Sequence, residues 1–272
     1  MVKPFFILQL MEISLVTFSP TGTGRTIAET VAAGFADRTD TLRAVDLTLP
    51  DDGTGEIAVG GVAVFAVPVY GGRVAETAAE RLSRITAAEP GVTPAIVTVI
   101  YGNRDYEDAL LELRDIALRQ GFVPLSAGAF VGEHSYSRPK EGMPIAEGRP
   151  DATDRTEAMR FGAKSRAKYD TGEWKPLTVK GNFPYKEKGP STPATPVTDP
   201  ALCTGCGVCV EVCPTGVVSH TDGGVAVSNA EGCIKCCACV KFCPADARRF
   251  DTPYTEKLFT HCSARREPEL FL

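Results

Sequence analysis

The sequence predicts an α/β chain: a doubly wound, parallel five-stranded sheet followed by a small α+β unit built on cysteines. Three observations carry this. Short β-rich apolar runs alternate with helical patterns through the first 170 residues. Those runs are nearly continuous rather than alternating, as strands covered on both faces require. A cysteine pattern then occurs twice, with an offset of 30 residues.

The strand runs, in order, are ISLVTF (13–18), LRAVDL (42–47), VAVFAVPV (62–69), AIVTVIY (95–101) and VPLSAGAFV (123–131). Helical patterns fall near 25–36, 74–87 and 106–120, and a last one near 151–169 follows Pro150 and Asp151. In the first, Ile27, Val31 and Phe35 share one face. Strand–helix alternation of this kind implies a parallel sheet with right-handed crossovers. Residues 48–61 are barely long enough for such a crossover. Residues 171–197 hold Lys175-Pro176, Phe183-Pro184-Tyr185, Gly189-Pro190, Pro193 and Pro196, a semi-rigid linker. Its Trp174 is expected to pack on one domain and fix the relative position of the two. The expected divisions are a sheet domain (1–170), the linker (171–197), a cysteine domain (198–250) and a tail (251–272). The tail ends in Phe271-Leu272, an apolar terminus expected to dock.

The chain has 272 residues, 43% hydrophobic and 23% charged, enough for a packed core. A net charge of −5 argues against a nucleic-acid partner. The linker, with four lysines against two glutamates, is a small basic bridge. No run is long enough to cross a membrane. The stretch MVKPFFILQLMEISLV is not read as a signal peptide, because Glu12 interrupts it and no small-residue cleavage site follows. Met11 is an alternative start, which would leave Val2 to Leu10 as an apolar extension that must pack somewhere. Without an export signal, ten cysteines imply a reducing cytoplasm and metal binding rather than disulfides.

CTGCGVCVEVCP (203–214) and CIKCCACVKFCP (233–244) both read C-x2-C-x2-C-x3-C-P. Close spacing lets one loop present three thiolates to an iron–sulfur cube, and the fourth cysteine crosses to the other cube. One [4Fe–4S] cluster should therefore take Cys203, Cys206, Cys209 and Cys243. The other should take Cys233, Cys236, Cys239 and Cys213. Zinc ribbons use paired C-x2-C, not two triple runs each closed by Cys-Pro. Between the motifs, Thr221-Asp222-Gly223 signals a hairpin. Cys237 is read as a small buried hydrophobe, and nothing in the spacing gives Cys262 a partner. Residues 198–250 resemble bacterial two-cluster ferredoxins.

After the first strand comes FSPTGTGRTIAE (18–29). It is not a P-loop, since Ser19 and Arg25 stand where Gly and Lys belong. It is not a dinucleotide fingerprint, since Ile27 occupies the third glycine position, although Asp46 could imitate the ribose-binding acid. The loop resembles the flavodoxin phosphate loop, [ST]-x-T-G-x-T, with Ser19, Thr21, Gly22 and Thr23 at its positions. Gly24 stands where that family has its last threonine, a hydroxyl that Thr26 could replace. A helix N-terminus of this kind offers free N–H groups to phosphate. The third and fourth strands end in PVYGGR and YGNRDY. The resemblance implies that these loops sandwich an FMN ring, with Tyr70 and Tyr106 stacking and Gly71, Gly72, Gly102 and Asn103 approaching its edge. His134, in Glu133-His134-Ser135 after the fifth strand, is read chiefly as a capping or interdomain hydrogen-bonding group.

The order FSPTGT, PVYGGR, YGNRDYEDAL, FVGEHSYS, GNFPY, both cysteine runs and HCSARREPELF resembles a family of flavodoxin-like proteins fused to a two-cluster ferredoxin. That resemblance implies FMN, two [4Fe–4S] clusters and electron transfer to a partner redox protein. It assigns no catalytic residue. The alternatives are a flavin-dependent reductase of a small acceptor, or an electron-wiring subunit of a larger redox complex. Self-association is compatible with either.

Overall fold

The computed structural model describes residues 10–51, 53–189 and 192–272. The apolar extension before Leu10 and the Gly189-Pro190 step therefore fall outside the described residues, wholly or in part. The chain opens with β1 (Glu12–Thr17), α1 (Thr23–Phe35), β2 (Thr41–Asp46) and a short β3 (Ile57–Val59). It continues through β4 (Val62–Tyr70), β5 (Arg73–Val74), α2 (Glu76–Leu82) and β6 (Ile85–Ala87). Then come β7 (Pro94–Tyr101), α3 (Ala109–Arg119), β8 (Val123–Val131) and α4 (Ala152–Asp170). The cysteine unit holds β9 (Val197–Thr198), α5 (Val208–Glu211), β10 (Val218–His220), β11 (Ala226–Ser228), α6 (Ala238–Lys241) and β12 (Arg248–Arg249). Helix α7 (Tyr254–Cys262) and strand β13 (Glu269–Phe271) close the chain.

The five apolar runs became the five principal strands, parallel and ordered β2-β1-β4-β7-β8. Counted among themselves, that is the flavodoxin-like order 2-1-3-4-5, whose switch point lies between the first and third. Apolar side chains fill both faces. Val16, Phe65, Val97 and Phe122 belong to one core, and Ile13, Ile27, Ile96 and Phe161 to the other. Helices α1 and α4 share the second face. They approach closely because Gly34 meets the Met159 backbone and Gly162 meets Val31; a Cβ on either would lie 2.0 Å from a carbonyl oxygen.

Three features depart from the sequence reading. The helix expected over 74–87 stops at Leu82, and Ile85–Ala87 is strand. The crossover at 48–61 holds no helix among the described residues; instead its β3 pairs in parallel with β6. The tail does more than dock: β13 pairs antiparallel with β8 and extends the main sheet.

Trp174 packs on the sheet domain, stacking on Tyr169 at 5.5 Å and donating to its carbonyl at 3.3 Å. The linker beyond it runs along α3, burying Leu177 and Val179. The buried Asp108 carboxylate accepts the N–H of Asn182 at 2.8 Å and of Lys186 at 2.7 Å, so it anchors this strap. The hairpin expected near Thr221 is present as β10–β11, antiparallel. The small unit's apolar core is formed largely by its own cysteines, with Val218 and Ala226. It is bolted to the sheet domain. Arg81 donates to the Pro214 carbonyl at 2.6 Å, Arg138 donates to the Phe250 carbonyl at 2.6 Å, and Lys241 pairs with Glu133 at 3.3 Å.

Candidate cofactor sites

A cavity of about 700 Å³ opens at the carboxyl ends of β1, β4, β7 and β8. Its floor is the turn into α1. Ser19, Thr21, Thr23 and Gly24 line it, and Gly22 caps the helix. Among the described residues, the N–H groups of Thr21, Thr23 and Gly24 have no acceptor. Three open donors at the positive end of a helix fit a bound phosphate. The turn is held from behind. Ser19 donates its N–H to Thr48 Oγ1 at 2.8 Å, and Ser19 Oγ accepts the N–H of Arg25 at 3.0 Å. Asp46 pairs with Arg25 and accepts the Thr48 N–H at 2.9 Å, so it serves the turn rather than a ribose.

Gly24 has a steric reason. A side chain there would start 3.2 Å from Ser19 Oγ and 3.5 Å from Ile100. Thr26 does not supply the missing hydroxyl to the cavity, because its Oγ1 donates to the Gly22 carbonyl at 3.2 Å within its own helix.

The walls come from the other strand ends. Gly71 and Gly72, both at positive φ (65° and 82°), make a two-residue hairpin between β4 and β5. That turn leaves Tyr70 at the corner, facing the cavity. Gly102 also lines it, with the His134 ring packed against its backbone. His134 Nδ1 accepts the Tyr136 N–H at 2.9 Å, which is the capping role expected of it. Burial, with the Lys241 and Arg104 cations, brings its imidazolium down to about 4. The ring is therefore neutral at neutral pH.

Four expected contacts are not at the cavity wall. Tyr106 is buried in the core, 5.5 Å from Tyr101, and its hydroxyl donates to Glu269 at 3.0 Å. It cannot stack on a ligand in the cavity; its place one turn before α3 turns it inward toward the sheet. Asn103 is buried too, and its Nδ2 donates to the carbonyls of Cys262 (2.6 Å) and Ala264 (2.8 Å), fastening the tail. Gly22 and Gly72 shape their turns without facing the opening. In their place stand residues the sequence reading did not assign: Tyr101, Tyr136 and, from α7, Tyr254, Lys257 and Leu258. They come from three segments far apart in sequence, the end of β7, the turn after β8 and α7, and no local pattern points to them together. Helix α7 thus forms part of the cover, together with Lys186–Gly189 from the linker.

One further wall belongs to the cysteine unit. Ile234 and Lys235, inside the second cysteine motif, line the same cavity. Burial raises the Tyr70 and Tyr136 phenols, and Cys236, Cys237 and Cys233 are near enough to add to both shifts.

The cysteines fall into the two expected groups. Cys203, Cys206, Cys209 and Cys243 face one small cavity. Cys213, Cys233, Cys236 and Cys239 lie within electrostatic reach of one another. Burial pushes the Cys236 thiol up to about 12; the N–H of Ala238 opposes this and the three neighbours add to it. Burial therefore favours the thiol over the thiolate unless a cation is bound beside it. Among the described residues no three His, Cys, Asp or Glu side chains converge on a single point. A cube does not ask for that, since each thiolate holds a different corner.

The two motifs also repeat in backbone. Gly205, Gly207 and Gly216 have φ of 68°, 84° and 67°, and Lys235, Cys237 and Asp246, 30 residues on, have 57°, 58° and 51°. Cys237 is thus the counterpart of Gly207. It is buried, its thiol is raised by burial, and it donates to the Lys235 carbonyl at 3.6 Å.

Two models of 4Fe-4S dicluster domains match the chain: one over residues 195–244, the cysteine unit, and one over residues 159–217, which starts within α4 and takes in only the first cysteine motif. Ferredoxin-1 of Rhodobacter capsulatus is 50% identical over 38 residues, which are 14% of this chain. The match spans 57% of that relative's length. Solved structures similar to the sheet domain include an archaeal flavodoxin (11% identity, TM-score 0.38, 59% of this chain and 99% of that one). Flavodoxin 1 of Bacillus cereus is similar at 10% identity and TM-score 0.41, over 57% of this chain and 96% of that one. The chain carries a 4Fe-4S dicluster unit joined to a flavodoxin-like sheet.

Proposed function

We propose that this chain is an electron-transfer flavo-iron–sulfur protein, which passes electrons between two [4Fe–4S] clusters and FMN and on to a redox partner. The observation that carries it is the shared wall: a loop of the second cysteine motif, through Ile234 and Lys235, borders the cavity with open phosphate donors. When bound, FMN exchanges one or two electrons and each cluster exchanges one.

The chain's own groups have separable tasks in this reading. The N–H groups of Thr21, Thr23 and Gly24, with the hydroxyls of Ser19, Thr21 and Thr23, bind the phosphate. Tyr70, Gly71 and Gly102 border the ring, and neutral His134 holds its loop without adding charge. Gly22, Gly72, Asn103 and Tyr106 shape or fasten the loops from behind. Cys203, Cys206, Cys209 and Cys243 hold one cluster. Cys233, Cys236, Cys239 and Cys213 would hold the other, in the motif whose loop borders the cavity. Cys206 is exposed, so a partner reaches the first cluster there. Helix α7 and the linker exclude water from the cavity. No helix among the described residues is long and apolar enough to cross a membrane.

Anaerobic purification with released flavin and iron quantified tests the cofactors; one FMN and about eight irons per chain are expected. Rapid mixing with a one-electron reductant tests the path. Bleaching of the clusters should precede reduction of the flavin. Clusters that stay reduced beside an oxidised flavin would overturn the reading.

A further inference from the structure

Arg248 is 3% exposed, yet among the described residues no carboxylate pairs with it. Its partners are neutral. Nη1 donates to Thr198 Oγ1 at 2.7 Å and reaches the Ala226 carbonyl at 3.5 Å. Nη2 donates to Ser228 Oγ and, at 3.4 Å, to Cys239 Sγ. Nε is buried with no partner at all. A buried cation without a counter-charge is costly, and an orphaned buried N–H adds to the cost. The fold puts this guanidinium in that position by pairing β12 with β9, which sets Arg248 opposite Thr198.

Its location removes the paradox. Arg248 lines the cavity of Cys203, Cys206, Cys209 and Cys243, and it donates to Cys239 of the other cysteine group. It therefore stands between the two sites. With clusters bound, the four thiolates on each side would supply the missing negative charge, and the orphaned Nε–H would lie beside sites that hold sulfur acceptors.

We propose that Arg248 is a counter-ion shared by both clusters, holding both reduction potentials up. This rests on the two-cluster reading above. Reduction adds negative charge to a cluster, and a fixed cation beside it favours the reduced form. Because one guanidinium serves two sites, both respond to its loss. Because guanidinium does not titrate, its effect is independent of pH.

The test is an anaerobic redox titration followed by electron paramagnetic resonance on the full holoprotein, comparing wild type with Arg248→Met, Arg248→Gln and Arg248→Lys. The iron content of wild type is measured first. A wild type without two clusters would overturn the cluster reading itself, whereas the variants address Arg248 alone. The expected result is that Met and Gln lower the reduction equilibrium constant of both clusters about tenfold, about 59 mV for a one-electron couple. Lys should restore part of the loss at both, with the same shift at about pH 6 and pH 9. Unchanged potentials with full iron, or a shift at one cluster only, would overturn the proposal. If Met and Gln shed iron, retention by Lys supports a charge role, and equal loss from all three overturns it in favour of packing.

Discussion

Asp108 is the point at which the linker's path is decided, and Asp108→Ala is the sharpest test of that. Its buried carboxylate accepts three hydrogen bonds from the strap: the N–H of Asn182 (2.8 Å), Asn182 Nδ2 (3.1 Å) and the N–H of Lys186 (2.7 Å). Burial works to raise its pKa, but the bonds from Lys186 and Asn182 outweigh it and hold the group below the usual carboxylate range. Hydrogen bonds to a charged group contribute roughly 1.5–3 kcal/mol each and are not additive. Alanine should then cost about 3–5 kcal/mol of strap stability, and asparagine, which keeps one acceptor, roughly half of that. The strap is peripheral to the core, so the loss appears as local opening. Hydrogen exchange at the Asn182 and Lys186 amides should accelerate by about two to three powers of ten in Asp108→Ala, since each 1.4 kcal/mol is tenfold. Affinity for FMN, read by recovery of free-flavin fluorescence, should fall because Lys186–Gly189 no longer cover the cavity. A depressed pKa also fixes the pH sense: the contribution is complete well above the unfolded-state value of 3.8 and is lost as pH falls through the lower folded value. Unchanged exchange at both amides in Asp108→Ala would refute the anchoring argument.

Other outcomes follow from the same geometry. His134, at about 4 when folded against 6.5 when free, destabilises the fold as pH drops through that window. By about pH 5 the loss should be ~2 kcal/mol relative to neutral, and urea titrations of wild type and His134→Gln at both values should differ by that amount. Tyr106→Phe should leave FMN affinity unchanged and cost about 1–2 kcal/mol through the lost bond to Glu269, whereas Tyr70→Ala should weaken FMN binding at least tenfold; flavin fluorescence and thermal melts separate the two. Gly207→Ala forces a side chain into left-handed backbone and should cost roughly 1–2 kcal/mol, with earlier release of iron on warming.

The strands were legible because both faces of the sheet are covered, which leaves each one a continuous apolar run. The cysteine groups were legible because three cysteines of each motif lie in one short loop, so spacing alone brings them together. Tyr106 was not, since YGNRDY does not say that both of its tyrosines are buried; for Tyr106 that depends on Glu269, 163 positions away, accepting its hydroxyl. Strand β13 was equally hidden. Three residues pairing with an edge strand carry almost no pattern of their own. The cover over the cavity comes from α7 and the linker, and only tertiary packing unites them with the strand ends. The short 48–61 crossover did carry a warning, and β3 pairing with β6 is how the fold meets it.

The pairing of β13 with β8 also sets an order of assembly. During synthesis β8 emerges well before β13, with α4, the linker and both cysteine motifs in between. Until then β8 is an open edge, the kind that invites pairing with another chain. The cavity at the strand ends meanwhile lacks the wall that α7 supplies, so it is then at its most accessible. Closing the edge and closing the cavity both wait on the segment that follows the second cysteine motif. A ribosome that stalls after the second cysteine motif would release a sheet both unlidded and unsealed.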